Sequence, residues 1–340
     1  MLGWMTTWGI RCGIATYSSF LIDNLDEQVV ILAQSDGAPE DDIARCWERK
    51  NGDFSRLLER VEELEIKKMV IQHHPGQIIF KHLSSLLNSL SAMGIEVSIT
   101  LHNTRERPLV FRANRIDKAV KALKNCKNIF VHTKADVLRL NNMGISENIH
   151  HIPHGIYPPP NENTQPIIEK KGRTMATFGF MMPHKGQPEL IEVFNQLTEW
   201  DELWLLCAEV DSSAEVLKRC NELSDDRVKI IGDFLADDVA IATLAQADLV
   251  VFPYQSTKES ASGAVRMAVA AGAAIAVTPL EIFSDIEAAI VLPGVSVEEM
   301  LLGISNISDD GLINSKNSVV LQRDNQQWSS IAKVIEGLLR

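Results

Sequence analysis

Short runs rich in Val, Ile, Leu and Ala alternate along this chain with stretches whose apolar residues recur every three or four positions. The first pattern marks buried strands and the second amphipathic helices. In the first half it predicts strands over residues 1–8, 29–35, 67–74, 95–102, 128–133 and 148–156. Helices are predicted from about Ile14 to Leu25 and over 54–65, 80–94, 110–124 and 135–144, with a polar insertion running up to Asn51. Gly94 stands where a left-handed residue would end its helix. The second half predicts strands over 174–180, 202–209, 227–234, 248–254 and 273–278, and helices over 187–200, 213–223, 236–247, 262–271 and 325–340. Strict alternation of this kind predicts an α/β protein with parallel sheets.

At 340 residues the chain is long enough for two domains. The stretch PPPNENTQP (158–166) reads as the linker, giving an N-terminal domain 1–157 and a C-terminal domain 158–324, with the terminal helix 325–340 able to pack back on the first. No run of about 18 apolar residues is present and the start MLGWMTTWGIRCG lacks a basic-then-apolar signal pattern, so a cytoplasmic protein is expected. The five cysteines form neither a CxxC pair nor a metal-ligand spacing and read as reduced thiols.

The net charge of −12 is confined to the second half: 20 Lys and Arg face 20 Asp and Glu through residue 170, and 13 face 25 after it. Residues 105–139 hold ten cations against three anions. Spacing of about three drifts around a helix, so these charges describe either a solvated helix or a peripheral contact with an anionic membrane face or phosphorylated acceptor. Nucleic acid is disfavoured, because no aromatic residues interleave with the cations.

Candidate chemistry clusters at predicted loop positions. Ser262 is placed to cap the helix GAVRMAVAA, and Gly272 to stop it. The start of that helix is either an ordinary crossover end or an anion site, since its first amides lack intrahelical acceptors. Lys185 lies in a glycine-containing strand-to-helix loop, where it is either solvated or a phosphate contact. His74 and His102 fall at adjacent strand ends, where ligands lie in open α/β sheets, though structural hydrogen bonding would also place them there. Gly9 and Gly13 bracket a turn that is not GxGxxG, which disfavours a dinucleotide enzyme.

Four of these segments together carry a resemblance: WGIRCGIATY (8–17), IPHGI (152–156), FGFMMPHKGQPELIEVF (178–194) and VFPYQSTKESASGAVRMAVAAGAAIAVTPLEIF (251–283). In this order and over nearly the whole chain, they resemble the retaining glycosyltransferases of family 4. The resemblance implies the GT-B fold, two Rossmann-like domains with parallel sheets facing across a cleft. A nucleotide-sugar donor is then held mainly by the C-terminal domain, with no metal and no further cofactor. Carried over by position, it implies a catalytic set of Lys185 on the donor diphosphate, Glu259 on the hydroxyls of the transferred sugar and His102 near its reactive face. Gly9, Gly13, Gly179, Ser260, Ser262, Gly263, Ala264 and Arg266 complete the donor side, and Ile10, Arg11, His73 and His74 face the acceptor. Two positions depart from the pattern. Phe180, Met181 and Met182 stand where an Arg is usual, and Met267 where a second Glu is usual, with Arg266 a partial substitute balanced by the diphosphate or by Glu259.

The implied function is transfer of a hexose from a UDP- or GDP-sugar to a glycan or lipid-linked acceptor in polysaccharide biosynthesis. A glycosyltransferase-like binding protein that has lost catalysis is the alternative, and a sugar-nucleotide epimerase fits the motifs less well.

Overall fold

The computed structural model describes residues 1–10, 12–40, 42–105, 112–257 and 259–340, which divide into two compact units. Unit 1 comprises Met1–Gly155, Lys258–Ala261 and Trp328–Arg340, and unit 2 comprises Ile156–Thr257 and Ser262–Gln327.

Unit 1 runs β1 (Leu2–Thr6), α1 (Gly13–Ile22), β2 (Val29–Gln34), β3 (Ile43–Trp47), α2 (Ser55–Glu63), β4 (Lys68–His73), α3 (Phe80–Ala92), β5 (Glu96–Leu101), α4 (Val120–Leu123), β6 (Asn128–Val131), α5 (Lys134–Asn142) and β7 (Ile149–His151). Its seven strands pair in parallel in the order β3-β2-β1-β4-β5-β6-β7. Alternate residues feed the two faces: Met69 and Ile71 of β4 join Leu83, Leu86 and Leu90 of α3 on one side, and Val70 joins Tyr17 and Leu21 of α1 on the other. Burial on both faces is why these strands read as apolar runs.

Unit 2 contains β8 (Thr174–Phe180), α6 (Gln187–Phe194), β9 (Glu202–Ala208), α7 (Ala214–Leu223), β10 (Val228–Ile231), α8 (Asp237–Leu244), β11 (Leu249–Phe252), α9 (Gly263–Ala271), β12 (Ala274–Val277), β13 (Ile290–Val291), α10 (Val297–Ser305) and α11 (Asp309–Asn325). Its parallel sheet has the order β10-β9-β8-β11-β12-β13. Both sheets reverse strand order at one point, between β1 and β4 and between β8 and β11. In open α/β sheets that reversal opens a crevice at the carboxyl ends, so the loops after those four strands are the expected ligand positions.

Several elements differ from the sequence reading. The polar insertion contains β3, an edge strand with Arg45 at its centre. Residues 112–123 form two 3₁₀ turns (Arg112–Asn114 and Ile116–Lys118) and the single-turn α4 in place of one helix, and residues 110–111 of that prediction lie outside the described residues. The Asn114 side chain explains the break, since it accepts from the Phe80 amide at 3.3 Å and donates to Pro75 O at 3.1 Å, tying the turn to a neighbouring loop. Past β12, the elements β13, α10 and α11 were not anticipated. The terminal helix α12 (Trp328–Leu339) starts three residues later than expected and lies in unit 1, where Lys68 and Asn128 donate to Leu339 O and Leu338 O at 2.7 and 3.0 Å.

Candidate active site

In unit 2 the loop after β8 folds into a 3₁₀ turn, Pro183–Lys185, and closes on Gly186 at φ +76°. A Cβ at Gly186 would fall 1.9 Å from Pro253 O, so only glycine lets this loop lie against the one after β11. Gln255 N donates to His184 O at 2.9 Å and joins the two loops. The Lys185 Nζ then stands 3.7 Å from the centre of the Tyr254 ring. A half-buried ammonium over a tyrosine face is held by the ring quadrupole, worth about 0.5–2 kcal/mol.

Tyr254 is itself fixed. Its ring packs on Phe283 at 4.9 Å, its carbonyl accepts from Thr278 at 2.7 Å, and its hydroxyl lies 3.3 Å from Ser262 Oγ. The Ser262 hydroxyl therefore engages Tyr254, and the expected side-chain cap on α9 does not form. The amides that open α9 are left without a capping oxygen, which is the condition for an anion-binding helix end. Gly263 is exposed with open space where a side chain would stand, and at Gly179, φ +136°, an added Cβ would fall 3.4 Å from Ala264 Cβ. Lys185, Gly179, Ser262, Gly263 and Ala264 thus meet at the reversal point of this sheet. Phe180, the last residue of β8, and Phe234, three residues past β10, stack at 6.2 Å and are 44% and 54% exposed.

Arg266 is placed differently from the sequence expectation. It is fully buried, its guanidinium donates to Ser262 O and pairs with Asp285, and Asp285, neither a diphosphate nor Glu259, balances it. Met267, at the position of the usual second Glu, lies in the apolar core.

Unit 1 assembles a second group of candidates. His74 Nδ1 accepts from the Gly76 amide at 3.0 Å, so Nε2 carries the proton and donates to Glu259 Oε2 at 3.0 Å. Asn103 donates to the same oxygen at 2.9 Å. Ser260, expected on the donor, is buried and donates to Asp136 Oδ1 at 3.0 Å. Asp136 is a buried carboxylate that also accepts from Thr104, Thr133 and Arg139. The sequence reading missed Asp136, Asn103 and Tyr254; Asn103 and Tyr254 stand two residues past a strand end, and Asp136 lies in the first turn of α5, three residues after its cap Thr133.

His102 follows β5 and packs edge-on to Tyr17 at 4.8 Å. Its Nε2 lies 2.8 Å from the Gln72 side-chain amide and its Nδ1 3.3 Å from His132 Nε2, while His132 Nδ1 lies 3.0 Å from Ile152 O. The Gln72 side-chain oxygen can only accept, so His102 Nε2 carries the proton and donates to it, which leaves Nδ1 as the acceptor facing His132 Nε2. Burial, reinforced by the neighbouring His132, holds His102 well below the usual histidine range. A neutral His102 fits a hydrogen-bonding role and not a fixed positive charge.

His73, expected on the acceptor side, is the last residue of β4 and is buried against Phe80 at 4.8 Å. Its Nε2 donates to Ile78 O at 2.8 Å, and burial pushes its pKa down to about 3. It supports the loop and does not line a surface. Gly9 is exposed at φ +66° in the β1 loop, whose Trp8 is held by Gln34 through two bonds of 2.8 and 2.9 Å; Ile10 is half-buried beside it and Gly13 opens α1. Arg11 lies outside the described residues. Four cysteines are buried thiols with pKa values pushed up to about 12, and all five are free. Among the described residues no helix is long and apolar enough to cross a membrane.

No family model and no curated protein matches the chain. Solved structures do. HepE of Anabaena in complex with UDP aligns with a TM-score of 0.76 at 14% identity, over 99% of each chain. An α,α-trehalose-phosphate synthase (UDP-forming) from Burkholderia xenovorans, in complex with glucose-6-phosphate, aligns at 0.70 and 12% identity over 99% of each chain. The N-terminal domain of Candida albicans trehalose-6-phosphate phosphatase aligns at 0.72 and 12% identity, over 99% of this chain and 96% of that one. Likeness at this identity defines the fold: two Rossmann-like units with parallel sheets, the GT-B architecture.

Proposed function

We propose that this protein is a glycosyltransferase of the retaining, family 4 kind, moving a hexose from a UDP- or GDP-sugar to a glycan or lipid-linked acceptor. The observation that carries the reading is the meeting of Lys185, Tyr254 and the uncapped start of α9 at the strand-order reversal of unit 2. That arrangement suits a diphosphate, and of the similar structures HepE is in complex with UDP and the trehalose-phosphate synthase is UDP-forming.

In this reading the diphosphate lies at the α9 start with Lys185 beside it, and the exposed Phe180 and Phe234 rings offer a stacking surface to the base. As the glycosidic bond breaks, negative charge grows on the leaving phosphate oxygen and positive charge on the sugar ring. Preorganised donors aimed at that oxygen are worth about 2.7–4 kcal/mol each. The leaving phosphate accepts the acceptor hydroxyl's proton as that oxygen bonds to the anomeric carbon on the face being vacated, which retains configuration. Glu259, held by His74 and Asn103 in unit 1, is assigned to the sugar hydroxyls, and neutral His102 to the sugar's reactive face. No metal is assigned a role. The protein works in the cytoplasm, with residues 105–139 as a peripheral contact at the inner membrane face.

One observation favours a second reading, a nucleotide-sugar-binding protein without turnover. Met267 is buried where a carboxylate would hold the ribose, and Arg266 is committed to Asp285. A screen of UDP- and GDP-sugars against glycan acceptors with a mass readout separates the two. Transfer supports the first reading, whereas ligand-induced melting shifts with no product support the second.

A further inference from the structure

On the face of unit 1 formed by α2 and α3, a cavity of about 620 Å³ opens between the β3–α2 loop and the first turn of α3. Arg49, Lys50, Lys81 and His82 line it and, among the described residues, no carboxylate does, although Glu48 accepts from the lining Asn51 at 2.9 Å. Arg49 pairs with Asp36, whereas neither Lys50 nor Lys81 has an acidic partner among the described residues.

The backbone is shaped to hold this group. Lys50 sits at φ +62°, a left-handed conformation costing a non-glycine residue about 1 kcal/mol or more, and its amide donates to Gln77 O at 2.6 Å. Gly52 packs on the His82 ring so closely that a Cβ would fall 2.8 Å from it. His82 Nδ1 is buried with no hydrogen-bond partner among the described residues. Lys81 and His82 also stand in the first turn of a 13-residue helix, where the dipole favours an anion.

From these residues we infer that the cavity is a binding site for a phosphate-bearing ligand, a sugar phosphate in solution or a phosphorylated lipid headgroup. Unpaired ammonium groups and a helix start line it, and its size suits a sugar phosphate. This inference goes beyond the transfer reading and does not depend on it.

The test is calorimetric titration of the full chain with glucose 6-phosphate, with glucose as control, in a Lys185→Ala background so that binding at α9 does not contribute. A second arm measures sedimentation with phosphatidylcholine vesicles with and without phosphatidic acid. The expected result is binding of the phosphate-bearing probe in one arm or both, weakened about tenfold by Lys50→Gln with Lys81→Gln and weaker again at high salt. Binding of glucose 6-phosphate identifies a soluble ligand, and binding of the acidic vesicles alone identifies a headgroup. If the double variant does not fold, Lys81→Gln alone, an exposed helix position, serves. Binding in neither arm, or binding indifferent to these lysines, overturns the proposal.

Discussion

Lys185 and Tyr254 form a cation–π pair, the ammonium nitrogen 3.7 Å from the ring centre, although 69 positions separate them in the chain. The pair joins the loops after β8 and β11, the strands between which the sheet reverses its order. The Tyr254 hydroxyl then reaches Ser262 at the start of α9, so one aromatic ring sets both the cation and the helix end.

Substitution at Tyr254 separates those two contacts. Tyr254→Phe keeps the ring under Lys185 and loses only the Ser262 contact, so UDP affinity should change less than about threefold. Tyr254→Leu removes the ring and should weaken UDP binding about tenfold while lowering stability by about 1–3 kcal/mol. Isothermal titration with a parallel denaturant melt checks both.

Gly186 is the position with least freedom. Its positive φ and the Pro253 carbonyl 1.9 Å from any added Cβ leave no room for a side chain, and the obstacle is backbone. Gly186→Ala should cost about 2–4 kcal/mol and displace Lys185, abolishing nucleotide binding in whatever fraction stays folded. A folded variant with native affinity would show that the loop geometry is incidental.

The Arg266–Asp285 pair should behave as a structural element. Both partners are almost wholly buried, so Arg266→Met strands a carboxylate and should destabilise unit 2 by about 3–5 kcal/mol. Adding Asp285→Leu should recover much of that loss. UDP affinity, measured well below the melting temperature, should stay within about twofold, in contrast to the role the sequence suggested.

Acid should weaken unit 1. His73 is held neutral at a pKa of about 3, and His102 is depressed in the same direction. A histidine whose folded pKa lies below its unfolded value of about 6.5 binds fewer protons folded than unfolded between those values, so stability is complete above about pH 6.5 and declines as pH falls. His73 alone should account for roughly 2 kcal/mol lost by pH 5. His73→Gln, which can keep a donor to Ile78 O, should flatten that limb of a melting-temperature profile.

What could be read from the chain followed from burial. β11 (LVVF) and β9 (ELWLLCA) are enclosed on both faces and announced themselves as apolar runs. β3 did not, because an edge strand tolerates Arg45, whose guanidinium donates to Gln34 O and Ala38 O. α11 was equally silent: of its 17 residues only Ser315 and Val319 are buried, which leaves no apolar stripe to detect. The glycines and Lys185 could be placed from strand-to-helix spacing. The partner of Arg266 could not, since Asp285 lies 19 residues away and only the folded loop after β12 brings it there. For the same reason Ser260 looked like a ligand until Asp136, 124 residues earlier, proved to hold it.

In the proposed function, Lys185 and the start of α9 hold a diphosphate. Titration of UDP into the wild-type chain and Lys185→Ala, with matched thermal melts, tests it most directly. The prediction is saturable binding by the wild type, at least about tenfold weaker binding by the variant, and superimposable melts without ligand. Equal affinity in the two proteins, or no binding by the wild type, would contradict it.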